Sequence, residues 1–243
     1  MRNKILYYAL KYQGEWHKIT NAIANQESAL EIDYPYPYVT ILDSAYPKAF
    51  RNLRYAPWVI FYEGDLSLLD QKMISIVGAR ECNAYGKDMA IHVSKLLKQK
   101  AVLVSGLAKG IDAIVHQEAL DHHTIGVVGG GINVVYPKEN ASLYELMRKH
   151  HLIISEYPHN TKPLAYHFPW RNRLIAALGD ALVVIQAKKR SGTLLTVNEA
   201  LGLGRTVYCI PHNFNDKYGL GSNLLLSQGA NIIIDDQDIL AIL

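Results

Sequence analysis

A chain of 243 residues, 49% hydrophobic and 19% charged, suffices for one large domain, or one domain with an appendage, around a sizeable core. Two cysteines, Cys82 and Cys209, exclude a disulfide framework, and both read as incidental thiols, one in a loop and one in a strand. No secretory leader pattern is present and no apolar run reaches the ~18 residues needed to span a bilayer, so a cytoplasmic protein with no membrane partner is expected.

In chain order, "RNKILYYALKY" and "GEWHKITNAIANQ" read as two short helices over residues 1–38. Residues 34–66 carry several prolines and read as a linker, with one further strand at "WVIFYEG". A regular rhythm follows. The apolar runs 73–79, 101–106, 124–131, 152–156, 181–187, 206–211 and 231–235 are strand-like, and 85–99, 112–122 and 141–150 have helical apolar spacing. Continuous β-branched runs between amphipathic helices mean strands covered on both faces. The fold class is therefore α/β, a mostly parallel sheet with helices on both faces. Right-handed crossovers place every loop that follows a strand on one edge, where ligands bind in open α/β sheets.

Those loops read "GAREC" (78–82), "SGLAKGID" (105–112), "GGGINVVYPK" (129–138), "SEYP" (155–158), "AKKRSGT" (187–193) and "PHNF" (211–214). Glycine allows close backbone approach, and helix N-termini offer free N–H groups to phosphate. Arg80, Lys109, Lys138, Arg171, Arg173 and Arg190 are interleaved with them. A phosphate-bearing ligand is expected on this edge. Residues 159–205 carry Lys162, Arg171, Arg173, Lys188, Lys189, Arg190 and Arg205 against only Asp180 and Glu199. A local basic field points to an anionic partner, with a solvated basic face as the plain alternative.

Other chemistry finds less support. No G-x-G-x-x-G dinucleotide fingerprint and no G-x-x-x-x-G-K-[ST] P-loop occurs. The pairs His122–His123 and His150–His151 lack metal-ligand spacing. Asp112 and His116 share a helix face, as an acid–base pair or as a cap beside a packed imidazole. Ser191 lacks the G-x-S-x-G elbow of a serine hydrolase.

Eight stretches together carry a resemblance: "SIVGAR", "VSGLAKGIDAIVHQEAL", "GVVGGGINVVYPKEN", "LIISEYP", "HFPWRNRLIAAL", "KKRSGTLLT", "GSNLLLSQGA" and "QDIL". Their order and spacing, over residues 39 to 240, resemble the bacterial DNA-processing protein A family (DprA/Smf). The resemblance implies an extended Rossmann-like fold over 39–243, preceded by a short, reduced sterile-alpha-motif-like helical segment over 1–38, with no C-terminal winged helix. It implies a single-stranded DNA-binding recombination mediator with no enzymatic turnover and no cofactor. Such a protein protects incoming DNA, helps load the RecA recombinase in natural transformation, and is expected as a homodimer.

Carried onto this chain, the expected DNA contacts are Gly78, Arg80, Ser105, Gly106, Lys109, Gly110, Lys138, Phe168, Arg171, Asn172, Arg173, Arg190, Ser191 and Gly192. Arg171 and Arg173 are expected at the ligand edge facing Arg80. Phe168 and Trp170 read equally as stacking surfaces or as core. Three departures stand out: Ala79 replaces a hydroxyl residue, Gln186 a glutamate, and His212 a glycine. The alternative function is a nucleotide sensor or a nucleotide phosphoribohydrolase of related fold, although Thr196 stands where the hydrolase glutamate would be.

Overall fold

The computed structural model describes residues 1–243. The elements in chain order are α1 (Arg2–Lys11), α2 (Trp16–Ala24), β1 (Tyr38–Thr40), α3 (Lys48–Arg51), β2 (Val59–Gly64), β3 (Met73–Val77), α4 (Ala84–Leu97), β4 (Val102–Ser105), α5 (Ile111–Glu118) and β5 (Thr124–Val128). They continue with α6 (Ala141–His150), β6 (Leu152–Ser155), α7 (His167–Leu178), β7 (Ala181–Val184), α8 (Gly192–Gly202), β8 (Thr206–Cys209), α9 (Leu220–Ser227), β9 (Asn231–Ile232) and α10 (Asp236–Leu240).

The nine strands form one sheet in the order β1-β2-β6-β5-β4-β3-β7-β8-β9. From β6 to β9 every neighbouring pair is parallel. Strand β2 runs antiparallel to β6, and β1 antiparallel to β2. The segment 34–66 is thus more than a linker. Its prolines sit between short elements that extend the sheet edge.

Strand β3 shows why the apolar runs are continuous. Ile74 and Ile76 pack with Ala90, Val93 and Leu97 of α4, and with Ile111 and Val115 of α5. Met73 and Val77 share the opposite core with Leu174 and Ile175 of α7 and Val197 of α8. Successive side chains point to opposite faces, and both faces are roofed by helices. Helices α1 and α2 close a smaller cluster, in which Ile5, Leu6 and Ile19 meet Val59 and Phe61 of β2.

Helix ends follow their capping chemistry. Asn83 Oδ1 accepts from the Gly86 N–H at 2.9 Å and starts α4. Asp235 accepts from the N–H groups of Gln237 and Asp238, and Asp238 returns the bond, so α10 begins with a reciprocal cap.

The strand order reverses at β3. Strands β4, β5 and β6 stack on one side of it and β7, β8 and β9 on the other. The chain segments leaving β3 and β7 diverge at that point and open a crevice at the carboxyl ends of the strands.

Candidate functional site

A cleft of about 630 Å³ occupies this crevice, and a side lobe of about 220 Å³ shares Arg80, Tyr136, Phe168 and Arg171 with it. One wall is the loop after β3, with Gly78, Ala79, Arg80 and Glu81. The other is the first turn of α8, with Ser191, Gly192, Thr193 and Thr196. The start of α7 forms the floor through Phe168, Pro169 and Arg171. Thr193 Oγ1 donates to the Gly78 carbonyl at 3.2 Å and ties the two walls together.

Arg80 is exposed and stands at the centre of this arrangement. Its guanidinium lies 5.3 Å from the centroid of the Phe168 ring and has no carboxylate partner. The ring of Tyr136, 48% exposed, lies tilted at 5.4 Å from Phe168. A planar cation and two aromatic faces thus line one stretch of wall.

The glycines of the two motifs shape the Arg80 loop. Gly110 has φ +76, and a Cβ there would lie 2.5 Å from the Arg80 carbonyl oxygen. A Cβ on Gly78 would lie 2.6 Å from Ile111 Cγ1. The Ile111 N–H also donates to the Ala79 carbonyl at 3.2 Å. The "GAR" and "SGLAKGID" stretches are therefore locked backbone to backbone. Ala79 is buried at 6% exposure, so the missing hydroxyl falls on a packed position.

Arg171 lines the cleft but belongs to its frame. It is 4% exposed, its Nη1 donates to the Gly106 carbonyl at 2.7 Å, and the same nitrogen donates to the Val127 carbonyl. The Asp112 carboxyl sits beside it. Burial pushes Asp112 above the usual carboxylate range, while the Arg171 guanidinium opposes that rise. Gly106 fits between the two, since a Cβ there would lie 2.5 Å from Arg171 Nη1 and 2.6 Å from Asp112 Oδ2. Asn172 completes the joint by donating to the Gly192 carbonyl at 3.3 Å.

Arg173 does not reach the cleft. Its Nη2 donates to both carboxylate oxygens of Glu156 at 2.8 Å and to the Tyr55 carbonyl at 3.0 Å, in a pair that is 5% and 4% exposed. The expectation that it faces Arg80 fails because a buried carboxylate on the loop after β6 draws it to the other side of α7. Ser105 is also turned inward, fully buried, with its Oγ donating to the Ile76 carbonyl at 2.7 Å. Gly110, Lys138 and Arg190 lie outside the cleft lining. Gly110 sits behind the Arg80 loop, while Lys138 and Arg190 are exposed near its rim.

Asp112 and His116 are not coupled as an acid–base pair. His116 Nδ1 faces Thr124 Oγ1 at 2.7 Å, and that hydroxyl donates onward to the Leu103 carbonyl, so the ring nitrogen is the donor. Burial, assisted by neighbouring His151, pushes His116 down to about 3. It is a neutral core imidazole. Trp170 is half-buried and stacks its face on the Arg173 guanidinium at 4.3 Å, against Tyr55 and His17. That packing turns it towards the N-terminal helices.

The model of the DNA recombination-mediator protein A family matches residues 37–243. The chain belongs to that family. The DNA processing protein DprA of Bacillus subtilis is 41% identical over 205 residues, spanning 83% of this chain and 69% of the relative. The X-ray structure of DNA processing protein A from Streptococcus pneumoniae superposes with a TM-score of 0.85 at 33% identity, covering 98% of this chain and 95% of that one. The Helicobacter pylori DNA processing protein A, described for its single-stranded DNA binding mode, superposes with a TM-score of 0.77 at 31% identity, covering 85% and 95%. The extended, mostly parallel sheet is thus the fold of the recombination-mediator family.

Within this family member, the basic segment 159–205 is less bare than its composition suggests. Arg171 and Arg173 are buried, Lys188 pairs with Glu81 at 3.0 Å, and Arg205 donates to the Ala177 carbonyl. Lys109, on the rim, is paired with Glu139. Sequence reading passed over Tyr136 and Glu81, which line the cleft, and Glu139, which holds the rim cation Lys109. Tyr136 had a signal, its place before Pro137 in a quoted motif, but nothing in the sequence says that the ring turns to Phe168. Two family departures are absorbed locally. Gln186 Nε2 donates to Asn83 Oδ1 at 2.8 Å while its Oε1 accepts from the Asn83 N–H at 3.1 Å, and His212 Nε2 faces the Ile185 carbonyl at 2.9 Å. No helix is long and apolar enough to cross a membrane.

Proposed function

We propose that this protein binds single-stranded DNA across the cleft at the β3–β7 reversal and acts there as a recombination mediator. The observation that carries the reading is the unpaired Arg80 guanidinium on the Phe168 ring. Single-strand binding without sequence choice needs a cationic groove together with flat surfaces for bases, and arginine serves both phosphate and base faces. In this reading Arg80 meets a phosphate or base, Phe168 and Tyr136 give stacking faces, and the N–H groups of Ser191 and Gly192 at the start of α8 seat a phosphate. Lys109, Lys138 and Arg190 are rim cations. Gly78, Ser105, Gly106, Gly110, Arg171, Asn172 and Arg173 hold the frame.

Membership of the recombination-mediator family supports the finer role: protection of incoming DNA and loading of RecA in natural transformation, by a cytoplasmic homodimer without catalytic turnover. The test is a fluorescence anisotropy titration with single- and double-stranded DNA of equal length at several salt concentrations. Binding should favour the single strand, and log affinity should fall with log salt in proportion to the phosphates contacted. Equal affinity for duplex, or affinity indifferent to salt, would refute it.

A second reading rests on the cleft volume of about 630 Å³ beside a helix N-terminus, which suits a single nucleotide. Calorimetric titration of oligo-dT against a panel of nucleotides separates the two.

A further inference from the structure

We propose a second nucleic-acid subsite on the loop between β8 and α9, where Phe214 and Tyr218 receive the bases of a strand that leaves the cleft past Lys188. The inference rests on the single-stranded reading and extends it to a specific path.

Phe214 is 93% exposed, the most exposed large apolar side chain of the chain. One bare phenylalanine on a floppy loop would mean little, but this loop is stitched at both ends. The His212 N–H donates to Asn223 Oδ1 and Asn223 Nδ2 returns a bond to the His212 carbonyl, each at 3.0 Å. Asp216 accepts from the Tyr218 N–H at 2.8 Å and from Asn83 Nδ2 at 3.0 Å. The Gly221 N–H donates to the Ala187 carbonyl at 2.7 Å, fixing the start of α9 to the segment that follows β7. The loop is held firmly while a phenyl ring is presented to solvent.

Cations flank the second aromatic ring of the loop, that of Tyr218. Lys188 lies 4.9 Å from the centroid of Tyr218, and Lys217 lies 5.6 Å from it on the same residue. Lys188 is also part of the cleft wall. A continuous line therefore runs from Arg80 through Lys188 to Tyr218 and its loop. Lys189 and Arg190, exposed beside Lys188, add unpaired positive charge. The Asp216 carboxylate keeps its negative charge, but its oxygens are drawn onto Asn83, His212 and the Tyr218 N–H and its side chain is only 15% exposed, so little of it faces the strand's path. Alternating cations and aromatic faces are what a flexible anionic chain with flat bases requires.

The test uses the full chain with two oligo-dT probes, about 5 and about 15 nucleotides long, within the range of single-strand site sizes. Phe214→Ala and Lys217→Ala should weaken the long probe about tenfold and leave the short probe unchanged, as loss of one stacking or phosphate contact does. Phe214→Trp should retain long-probe binding, and Arg80→Ala should weaken both probes. Phe214→Ala binding the long probe like the unmodified protein overturns the subsite and leaves the cleft reading standing. If the unmodified protein binds neither probe, both readings fail. If Phe214→Ala instead lowers the mass measured by light scattering with long-probe affinity intact, the ring meets a second copy of the chain and the subsite is overturned. Thermal melts of each variant should match the unmodified protein, since the ring touches little.

Discussion

The guanidinium of Arg80 rests on the Phe168 ring, and no carboxylate lies within ion-pair distance of it. Every other cation of the cleft lining has a carboxylate at hand: Asp112 beside Arg171, and Glu81 on Lys188. Arg80 is thus the one cation of the cleft lining left without an ion-pair partner; Arg171 serves the fold, and Lys188 is held by Glu81 on the exposed rim. Arg80→Ala should weaken single-strand binding by about 1–3 kcal/mol. Its melting should shift by less than about 0.5 kcal/mol in stability, because an exposed loop side chain is removed. Arg80→Lys should recover only part of the binding, since the planar fork is lost. Anisotropy titrations with parallel melts read both effects; wild-type affinity in Arg80→Ala would remove the residue from the interface.

Arg173 should behave in the opposite manner. Its bidentate pair with Glu156 is buried, so Arg173→Ala leaves an unpaired carboxylate in the core and should cost about 3–5 kcal/mol of stability. Joining Arg173→Met with Glu156→Leu should restore much of that loss, because both charges go together. Denaturant unfolding of the single and double variants decides it. Equal stability of Arg173→Ala and the unmodified protein would contradict the buried pairing.

Glu81 is a brake on anion binding in this arrangement. Its carboxylate holds Lys188 at 3.0 Å and stands beside Arg80 on an exposed rim. A phosphate entering the cleft competes with it. Glu81→Gln should raise single-strand affinity by up to about fivefold, the scale of an exposed ion pair, with the gain shrinking as salt rises. A loss of affinity in Glu81→Gln would show that the glutamate contributes contacts of its own.

Acid should destabilise the fold through its buried histidines. Burial lowers His116 to about 3 and His159 to about 4. The unfolded chain takes up these protons near pH 6.5 while the folded one does not. Stability is therefore fully present above about pH 6.5 and declines as pH falls towards the folded values. At pH 5.5 the cost from His116 alone should be on the order of 1 kcal/mol. Melts of the unmodified protein and His116→Gln at pH 7.5 and 5.5 should show a smaller acid shift in the variant; identical shifts would mean that His116 does not hold back its proton.

The legible part of the sequence was whatever depends on local pattern. Runs such as 73–79 and 181–187 announced strands roofed on both faces, and the loops after them announced the ligand edge. Boundaries drifted where glycines leave the ladder, as after Val128, where pairing ends three residues before the apolar run does. Arg171 and Arg173 show what was not legible. An arginine two residues from another on a helix tells nothing of which neighbour each will meet. Their destinations depend on Asp112 and Glu156, which reach them only through the sheet order. Tyr136 was hidden for the same reason, since its partner Phe168 lies in another crossover.

The bond from Thr193 to the Gly78 carbonyl joins residues 115 positions apart. Neither half of the cleft has any meaning in a shorter piece of chain. During synthesis the Arg80 wall emerges long before α8, so binding competence arrives late, once β7 has docked against β3. Any ligand that bridges the two walls must therefore hold the whole sheet together, and should raise the melting temperature of the domain in proportion to the logarithm of its concentration above its Kd.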